Sequence, residues 1–220
     1  MDAVLDLFRV LFEPAAVFGR VREKPRFLAP FLTLAVITVV IGVVQLPFVK
    51  AAMTAQFTQT PNMTPEQAQT ALKFAPIGVV IAPLAYCLFL LLNAFILWVG
   101  VSVFGGEAKF GTLLSVTTYA SISYTLLQIV GVIVLMMRGT GGIASMVDLQ
   151  PAVGLDLVAP DAKGFVLALL RGINPFTLYG LFLTSVGVAV THQTSKATAY
   201  TAATIQFLIA LLLGAALSKG

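Results

Sequence analysis

Five long runs of uncharged, largely apolar residues account for most of this 220-residue sequence. A helix needs about 20 such residues to cross the roughly 30 Å hydrocarbon core of a bilayer. Because the core contains no water, backbone groups inside it must pair within their own segment, which makes each run a helix. The runs therefore predict an all-α integral membrane protein with five transmembrane helices, at residues 28–49, 76–104, 111–137, 175–192 and 199–217.

The distribution of positive charge predicts how the spans are oriented. Five of the thirteen basic residues lie in residues 1–27, before the first span. A basic flank beside a first span is held in the cytoplasm by the positive-inside rule. Residues 1–27 are therefore expected to be a cytoplasmic amphipathic segment at the membrane interface. Five spans in residues 28–217 then carry the C-terminus to the opposite side.

Residues 2–13 and 14–23 have the pattern of two short amphipathic helices, separated at Glu13-Pro14 because the residue before a proline disfavours the α conformation. The polar face of the first is expected to carry Asp2, Asp6, Arg9 and Glu13, and its apolar face Val4, Leu7, Phe8, Leu11 and Phe12. Two compatible interpretations are open. The pair either lies in the interface and contacts anionic lipid heads, or packs against the helical bundle as a cap. In the first interpretation the lipid-head contacts are Arg9, Arg20, Arg22, Lys24 and Arg26.

Short motifs predict where several helices begin. Thr64-Pro65-Glu66-Gln67 combines a capping residue, a proline at the first helical position and a glutamine that reaches back. Asn174-Pro175 is the same kind of start for the fourth span. Asp161 is expected to cap a short surface helix that extends through Leu170, and Gly105-Gly106 predicts a tight turn between the second and third spans.

Polar residues recur within the predicted membrane helices. Asn93 lies about 16 Å from the cytoplasmic end of the second span, counted at about 1.5 Å per residue. Ser121 and Tyr124 reach the same level on the antiparallel third span, so Asn93 is expected to bond to them. The cluster either lines a solute or lipid pathway or joins neighbouring helices, and the absence of ionisable residues in the spans favours joining. Its members are Asn93, Thr117, Ser121, Tyr124 and Gln128.

The sequence contains no recognisable catalytic constellation. One cysteine, Cys87, allows no intrachain disulfide or cysteine-based metal site, and the single histidine, His192, has no ligand-forming neighbours and is expected to be interfacial. The phosphate-loop, HExxH and GxSxG motifs are absent. No catalytic residue, metal, cofactor or nucleic-acid partner is therefore expected, and an enzyme is the least favoured class.

Three stretches resemble the Yip family, the Ypt-interacting-protein membrane domain. The first is Glu13-Pro14 with Phe18, Val21 and Pro25, which is similar to the family's entry segment. The second is FGGEAKFGTLLSVTTYASI, from Phe104 to Ile122, and the third is INPFTLYGLFLTSVGVAV followed by the last span. Their order and spacing cover the chain from about Glu13 to Leu217, in the compact form typical of bacterial members.

The resemblance implies a five-helix domain with a cytoplasmic N-terminus, in a bacterial cytoplasmic membrane. Eukaryotic members bind prenylated Rab-type GTPases. The resemblance therefore implies a small GTPase as a partner. Those members carry a DLYGP-like motif in a long N-terminal region, of which this sequence has only Asp6-Leu7-Phe8. We expect a non-enzymatic scaffold that organises the membrane or binds an unknown protein partner, as a monomer or an oligomer. The alternative is a small transporter, channel or lipid-moving protein that uses the polar face of the third span.

Overall fold

A computed structural model describes residues 2–61, 63–104 and 107–218, and the predicted Gly105-Gly106 turn lies outside these ranges. The described residues form helices and contain no strand, which confirms the all-α prediction. Within these ranges, five helical stretches are long and apolar enough to cross a membrane. The helices are α1 (Asp2–Arg9), α2 (Pro14–Glu23), α3 (Leu28–Gln59), α4 (Pro65–Val103), α5 (Phe110–Ala120), α6 (Ile122–Arg138), α7 (Gly164–Gly172), α8 (Pro175–His192) and α9 (Lys196–Leu217).

The helices are longer and more interrupted than the apolar runs alone indicate. α3 continues ten residues beyond residue 49, and α4 begins at Pro65 and runs through Pro76 without a break. The third apolar stretch divides at Ser121 into α5 and α6. Ser121 Oγ donates to the Thr118 carbonyl and Ser123 Oγ to the Ala120 carbonyl. Hydroxyls that compete for helix carbonyls in this way often bend a helix, which accounts for the division.

The chain forms two compact units. The first contains residues up to Leu34, Cys87–Tyr124 and the chain from Ala152 onward. At its centre lies α5, whose residues 112–120 are all buried. Glycines allow α8 to approach α5 and the first turn of α6 closely. A Cβ on Gly187 would lie 2.5 Å from Val116 Cγ1, and a Cβ on Gly180 would lie 2.6 Å from Ser123 Oγ.

The second unit contains Ala35–Tyr86 and Thr125–Pro151. Within it, α3 and α4 pack at Gly42, where an added Cβ would lie 3.1 Å from Val79 Cγ1. The predicted start of α4 is confirmed. The Thr64 amide donates to Gln67 Oε1 at 3.0 Å, and the Gln67 amide donates to Thr64 Oγ1 at 3.3 Å.

The segment before α8 is fixed by caps and an ion pair within the first unit. The Asn174 side chain accepts hydrogen bonds from the Phe176 and Thr177 amides, which confirms the predicted start of α8. The predicted cap at Asp161 is wrong, because α7 begins at Gly164 after Lys163 without a side-chain cap. Asp156 instead accepts a hydrogen bond at 3.1 Å from Arg171 Nε, and both side chains are largely buried.

Candidate functional site

The first helix, α1, is docked on one face and exposed on the other. Its inward residues Ala3 and Leu7, together with the following Val10, are buried. On the outward face, Leu5 and Phe8 are about half exposed and Phe12, just past the helix, is 84% exposed. These three side chains, at spacings of three and four residues, form one row that we call the outward stripe. The apolar face predicted from the sequence is thus divided, with Leu7 inward and Phe8 and Phe12 outward.

Asp6 joins α1 to α2 through an ion pair with Arg20. Arg20 Nε donates to Asp6 Oδ2 at 3.0 Å and Nη2 to Oδ1 at 2.6 Å, so the guanidinium holds both carboxylate oxygens. Such two-point pairs are stronger and more specific in geometry than single contacts. The hydrogen bond to Asp6 raises the pKa of Arg20 above its ordinary value, and a smaller effect of burial opposes it. Although sequence periodicity places Asp6 on the polar face of α1, the residue is only 6% exposed.

Two tyrosine hydroxyls attach the N-terminal helices to the rest of the first unit. Tyr119 on α5 donates to the Ala3 carbonyl at 3.3 Å, and Tyr179 on α8 donates to the Leu11 carbonyl at 2.5 Å. Phe18 on α2 packs edge-to-face on Tyr119, with ring centroids 6.5 Å apart. The N-terminal segment is therefore held by hydrogen bonds as well as by apolar packing.

The contacts along α8 show the direction of α2. Leu11 meets Tyr179, and Phe18 meets the backbone of Gly187, where an added Cβ would lie 3.1 Å from Phe18 Cε1. Tyr179 and Gly187 are eight residues apart in the sequence, which corresponds to about 12 Å along a helix. α2 therefore lies lengthwise and parallel against α8, so it packs along the side of a bundle helix, whereas the packed interpretation of the sequence expects a cap on the bundle.

The five predicted lipid-head contacts have different surroundings. Arg20 is committed to Asp6, and Arg9 approaches the same carboxylate at 3.8 Å with its side chain mostly exposed. The remaining three, Arg22, Lys24 and Arg26, are exposed. The structure thus leaves Arg9, Arg22, Lys24 and Arg26 accessible to an anionic surface, and gives Arg20 a structural contact that the sequence interpretation did not include.

Asn93 has a different partner from the predicted one. Its side-chain oxygen accepts a hydrogen bond from Gln206 Nε2 on α9, and its Nδ2 donates to the Phe89 carbonyl at 2.8 Å. The expected bonds to Ser121 and Tyr124 are wrong. α9 lies close to this face of α4, as an added Cβ on Gly100 would lie 3.4 Å from Ala202 Cβ. The carboxamide therefore points toward α9 instead of the third span.

The other members of the predicted polar cluster do not converge on one another. Thr117 is buried, and its Oγ1 has no hydrogen-bond partner among the described residues. Ser121 bonds to the Thr118 carbonyl, and the half-exposed Tyr124 lies beside Phe89, with ring centroids 6.4 Å apart. Gln128 belongs to the second unit and is partly buried.

His192 closes the space between the end of α8 and the start of α5. Its Nε2 accepts a hydrogen bond at 3.2 Å from the Lys109 amide, and its Nδ1 lies 2.8 Å from Thr191 Oγ1. Neighbouring Glu107 is exposed. Within the described ranges no group of three or more metal-ligating side chains comes together. The hydrogen bond from the Lys109 amide thus gives His192 a structural contact between the end of α8 and the residue before α5.

Three residues of these contacts were missed by sequence reasoning: Gln206, Tyr119 and Tyr179. Gln206 is a polar residue in the apolar last span, which is itself a signal that a partner is needed inside a membrane. Tyr119 and Tyr179 carry a hydroxyl on an apolar ring, and such hydroxyls usually find a partner when buried. The hydroxyl groups thus predict that each tyrosine makes a hydrogen bond. Which carbonyl accepts it depends on tertiary packing, which the sequence alone does not give.

Comparison with known proteins decides the family. A sequence model of the Yip1 domain matches residues 8–218. The chain belongs to the Yip1 domain family. A curated relative, "Membrane protein YknW" of Bacillus subtilis (strain 168), is 26% identical over 205 residues, which cover 91% of this chain and 84% of the relative. No solved structure gives a significant match.

The match includes most of the residues that attach α1 and α2 to the rest of the first unit. In this Yip1-domain protein the matched region begins at Phe8 of the outward stripe and contains Arg20, Tyr119 and Tyr179. The family and the five apolar helices together make the chain a multi-pass membrane protein. Helix α2 and the Asn93–Gln206 pair lie within the matched region, whereas residues 2–7 of α1 precede it.

Proposed function

We propose that this protein is a non-enzymatic scaffold that organises the bilayer around it, in a bacterial cytoplasmic membrane with its N-terminus on the cytoplasmic side. The observation that carries the proposal is the outward stripe of Leu5, Phe8 and Phe12 on a helix whose opposite face is docked. Exposed apolar residues beside cations are typical of surfaces that enter the membrane interface. Membrane lipids are accordingly the proposed partners, and any protein partner would meet the same stripe.

Firm attachment of α1 makes this role physically reasonable. Asp6, Tyr119 and Tyr179 hold the N-terminal helices through side-chain contacts, so the stripe is presented at a fixed place on the domain. A preordered helix loses less conformational freedom when it contacts lipid than a disordered segment would. The exposed cations Arg9, Arg22, Lys24 and Arg26 would then attract anionic lipid heads.

Three hydroxyl groups of the third span support a structural role over a pathway, whereas the Thr117 hydroxyl has no partner among the described residues. Ser115, Thr118 and Ser123 each donate to a carbonyl of their own helical stretch, at 3.0, 2.7 and 2.9 Å. The apolar runs also lack the ionisable residues that mark most ion and proton pathways. Because these three hydroxyls already donate to backbone carbonyls of their own span, they are not free to bind a solute. This favours the scaffold over the transporter alternative.

The proposal is tested by measuring which lipids surround the protein. Full-length protein carrying a donor fluorophore is reconstituted into vesicles that contain phosphatidylglycerol and phosphatidylcholine, one of them acceptor-labelled at a time. We expect more energy transfer to phosphatidylglycerol, and a reduction of this preference in the double variant Phe8→Ser/Phe12→Ser. Leu217→Ser is the matched control, because Leu217 is 80% exposed but lies at the end of α9.

A parallel flux assay separates the scaffold from the transporter. The same vesicles should show no transport of ions, small solutes or labelled lipids above the rate in protein-free vesicles. Equal energy transfer to both lipids, or flux that is abolished by Asn93→Leu, would contradict the proposed function. Deletion of the N-terminal segment is a poor substitute for point variants, because α2 packs along α8.

A further inference from the structure

An apolar cleft of about 160 Å³ lies within the first unit, at the start of α3. Three elements form its walls. The start of α3 contributes aromatic rings, α4 contributes residues three and four positions apart on one face, and α5 contributes two residues four apart. The main lining residues are Phe27, Phe31, Cys87, Leu90, Leu114 and Thr118.

The chemistry of the cleft suits a hydrocarbon guest. Its exposed surface is entirely apolar. The Thr118 hydroxyl, which is its main polar group, donates to the Leu114 carbonyl at 2.7 Å and is thereby removed from the cleft. Apolar cavities of about 150 Å³ stay dry and bind apolar molecules when these can reach them. The cleft can therefore accept a segment of an acyl chain, and its exposed surface presents no hydrogen-bonding group to a polar solute.

A group of cations lies next to one wall of the cleft. Lys24 and Arg26 are exposed and directly precede Phe27 in the chain. Exposed Arg22 adds a third positive charge, and Glu23 is the one acidic residue between Val21 and Phe27. The chain segment that leads into Phe27 on the cleft wall is thus positively charged.

We propose that this cleft is a specific site for one anionic phospholipid. One acyl chain would occupy the space between Phe27, Cys87 and Leu114, and the head phosphate would lie against Arg26 and Lys24. The inference deepens the proposed function and rests on its assignment of basic residues to lipid heads. The scaffold proposal requires only that lipids gather around the outward stripe. The present proposal adds one bound lipid molecule whose acyl chain has a defined site.

Native mass spectrometry of delipidated full-length protein tests the chain site. Phosphatidylglycerol added in mild detergent should give one retained lipid per chain, bound about tenfold more tightly than phosphatidylcholine, a difference of about 1.4 kcal/mol. Cys87→Trp fills the cleft and should weaken this binding by about tenfold. Leu88→Trp is the control, since Leu88 is the next residue on α4, is 60% exposed and does not line the cleft.

A second measurement needs no substitution in the cleft. Cys87 is the single cysteine of the chain, so a maleimide reports on this position alone. Phosphatidylglycerol should slow the labelling of wild-type Cys87, and phosphatidylcholine at the same concentration should slow it less. Equal labelling rates with and without phosphatidylglycerol would overturn the proposal even if Cys87→Trp fails to fold.

The headgroup contacts are tested by removing charge. Lys24→Gln/Arg26→Gln should reduce the preference for phosphatidylglycerol over phosphatidylcholine about tenfold, while Arg138→Gln, an exposed cation at the end of α6, should leave it unchanged. Equal binding of the two lipids to wild type would refute the head site, and unchanged binding to Cys87→Trp would refute the chain site. Phe8→Ser/Phe12→Ser should retain the single lipid, so failure of the scaffold proposal is distinguishable from failure of this one.

Discussion

Arg20 holds both carboxylate oxygens of Asp6, fourteen residues earlier in the chain, at 3.0 and 2.6 Å. The pair closes the loop between α1 and α2 and fixes the side of α1 that faces the bundle. Because α2 is packed along α8, its ion pair with Asp6 also fixes the position of α1 relative to α8. The exposure of Phe8 and Phe12 follows from this arrangement.

Arg20→Met should destabilise the protein by about 1–3 kcal/mol, because it leaves the buried Asp6 carboxylate without its charged partner. Arg20→Lys should recover part of the loss, as an ammonium cannot reproduce the two-point contact. The midpoint of thermal unfolding in a mild detergent is the measurement. Arg22→Met is the control and should change stability by less than about 0.5 kcal/mol, since Arg22 is exposed. Equal effects of the Arg20 and Arg22 variants would contradict the structural role of the pair.

Gly187→Ala should push both α5 and α2 away from α8. The new methyl group would lie 2.5 Å from Val116 Cγ1 and 3.1 Å from Phe18 Cε1. Overpacking of this kind costs about 1–3 kcal/mol. We expect a lower unfolding midpoint and faster hydrogen exchange of the α2 amides, residues 14–23.

Gly214→Ala on α9 is the matched helix-glycine control for this experiment. Nothing lies within 4 Å of the position of its added Cβ, and alanine is favoured over glycine in a helix by about 1 kcal/mol. Stability should therefore stay constant or rise. If Gly187→Ala behaves in the same way, the close approach of α2 to α8 is not present in the protein.

Asn93→Leu should lower stability modestly, because it leaves Gln206 without its partner inside the helical bundle. Measured interhelical hydrogen bonds in membranes average about 0.6 kcal/mol and reach about 1.7 kcal/mol. In a double-mutant cycle, Asn93→Leu and Gln206→Leu together should cost less than the sum of the single changes. Asn93→Leu and Ser121→Ala should be additive, and coupling between those two would instead support the partner predicted from the sequence.

The sequence predicts the helices better than it predicts which faces meet. The spans, the start of α4 at Thr64 and the start of α8 at Asn174 depend on local composition and caps, so local rules suffice for them. The partner of Asn93 depends on how α4 is rotated about its axis. The rule that consecutive helices are neighbours selects α5, whereas the structure brings α9 to that face.

Burial of Asp6 shows the same limit within the candidate site. Periodicity identifies residues that share a face of α1, but an isolated amphipathic pattern does not say which face docks or which charge has a partner. Asp6 and Arg20 are fourteen positions apart and belong to different helices. Their pairing is a tertiary contact, and local propensity carries no information about it.

Cysteine labelling in intact cells tests the proposed orientation. In a Cys87→Ser background, Asp2→Cys should be protected from a membrane-impermeant maleimide and Ser218→Cys should react, because the basic residues before α3 favour the cytoplasm. Both positions are exposed, whereas Ala3 is buried against the bundle and would be protected on either side. Reaction at Asp2→Cys with protection at Ser218→Cys would reverse the orientation.

Lipid quenching of a fluorophore at position 12 measures directly whether the docked α1 turns Phe12 into the bilayer. Phe12→Cys and Glu66→Cys, at an exposed position in the first turn of α4, are each labelled in a Cys87→Ser background and reconstituted into phosphatidylglycerol vesicles with nitroxide-labelled acyl chains. We expect strong quenching at position 12 and little at position 66. Equal, weak quenching at both positions would show that the outward stripe lies in water and would contradict the account.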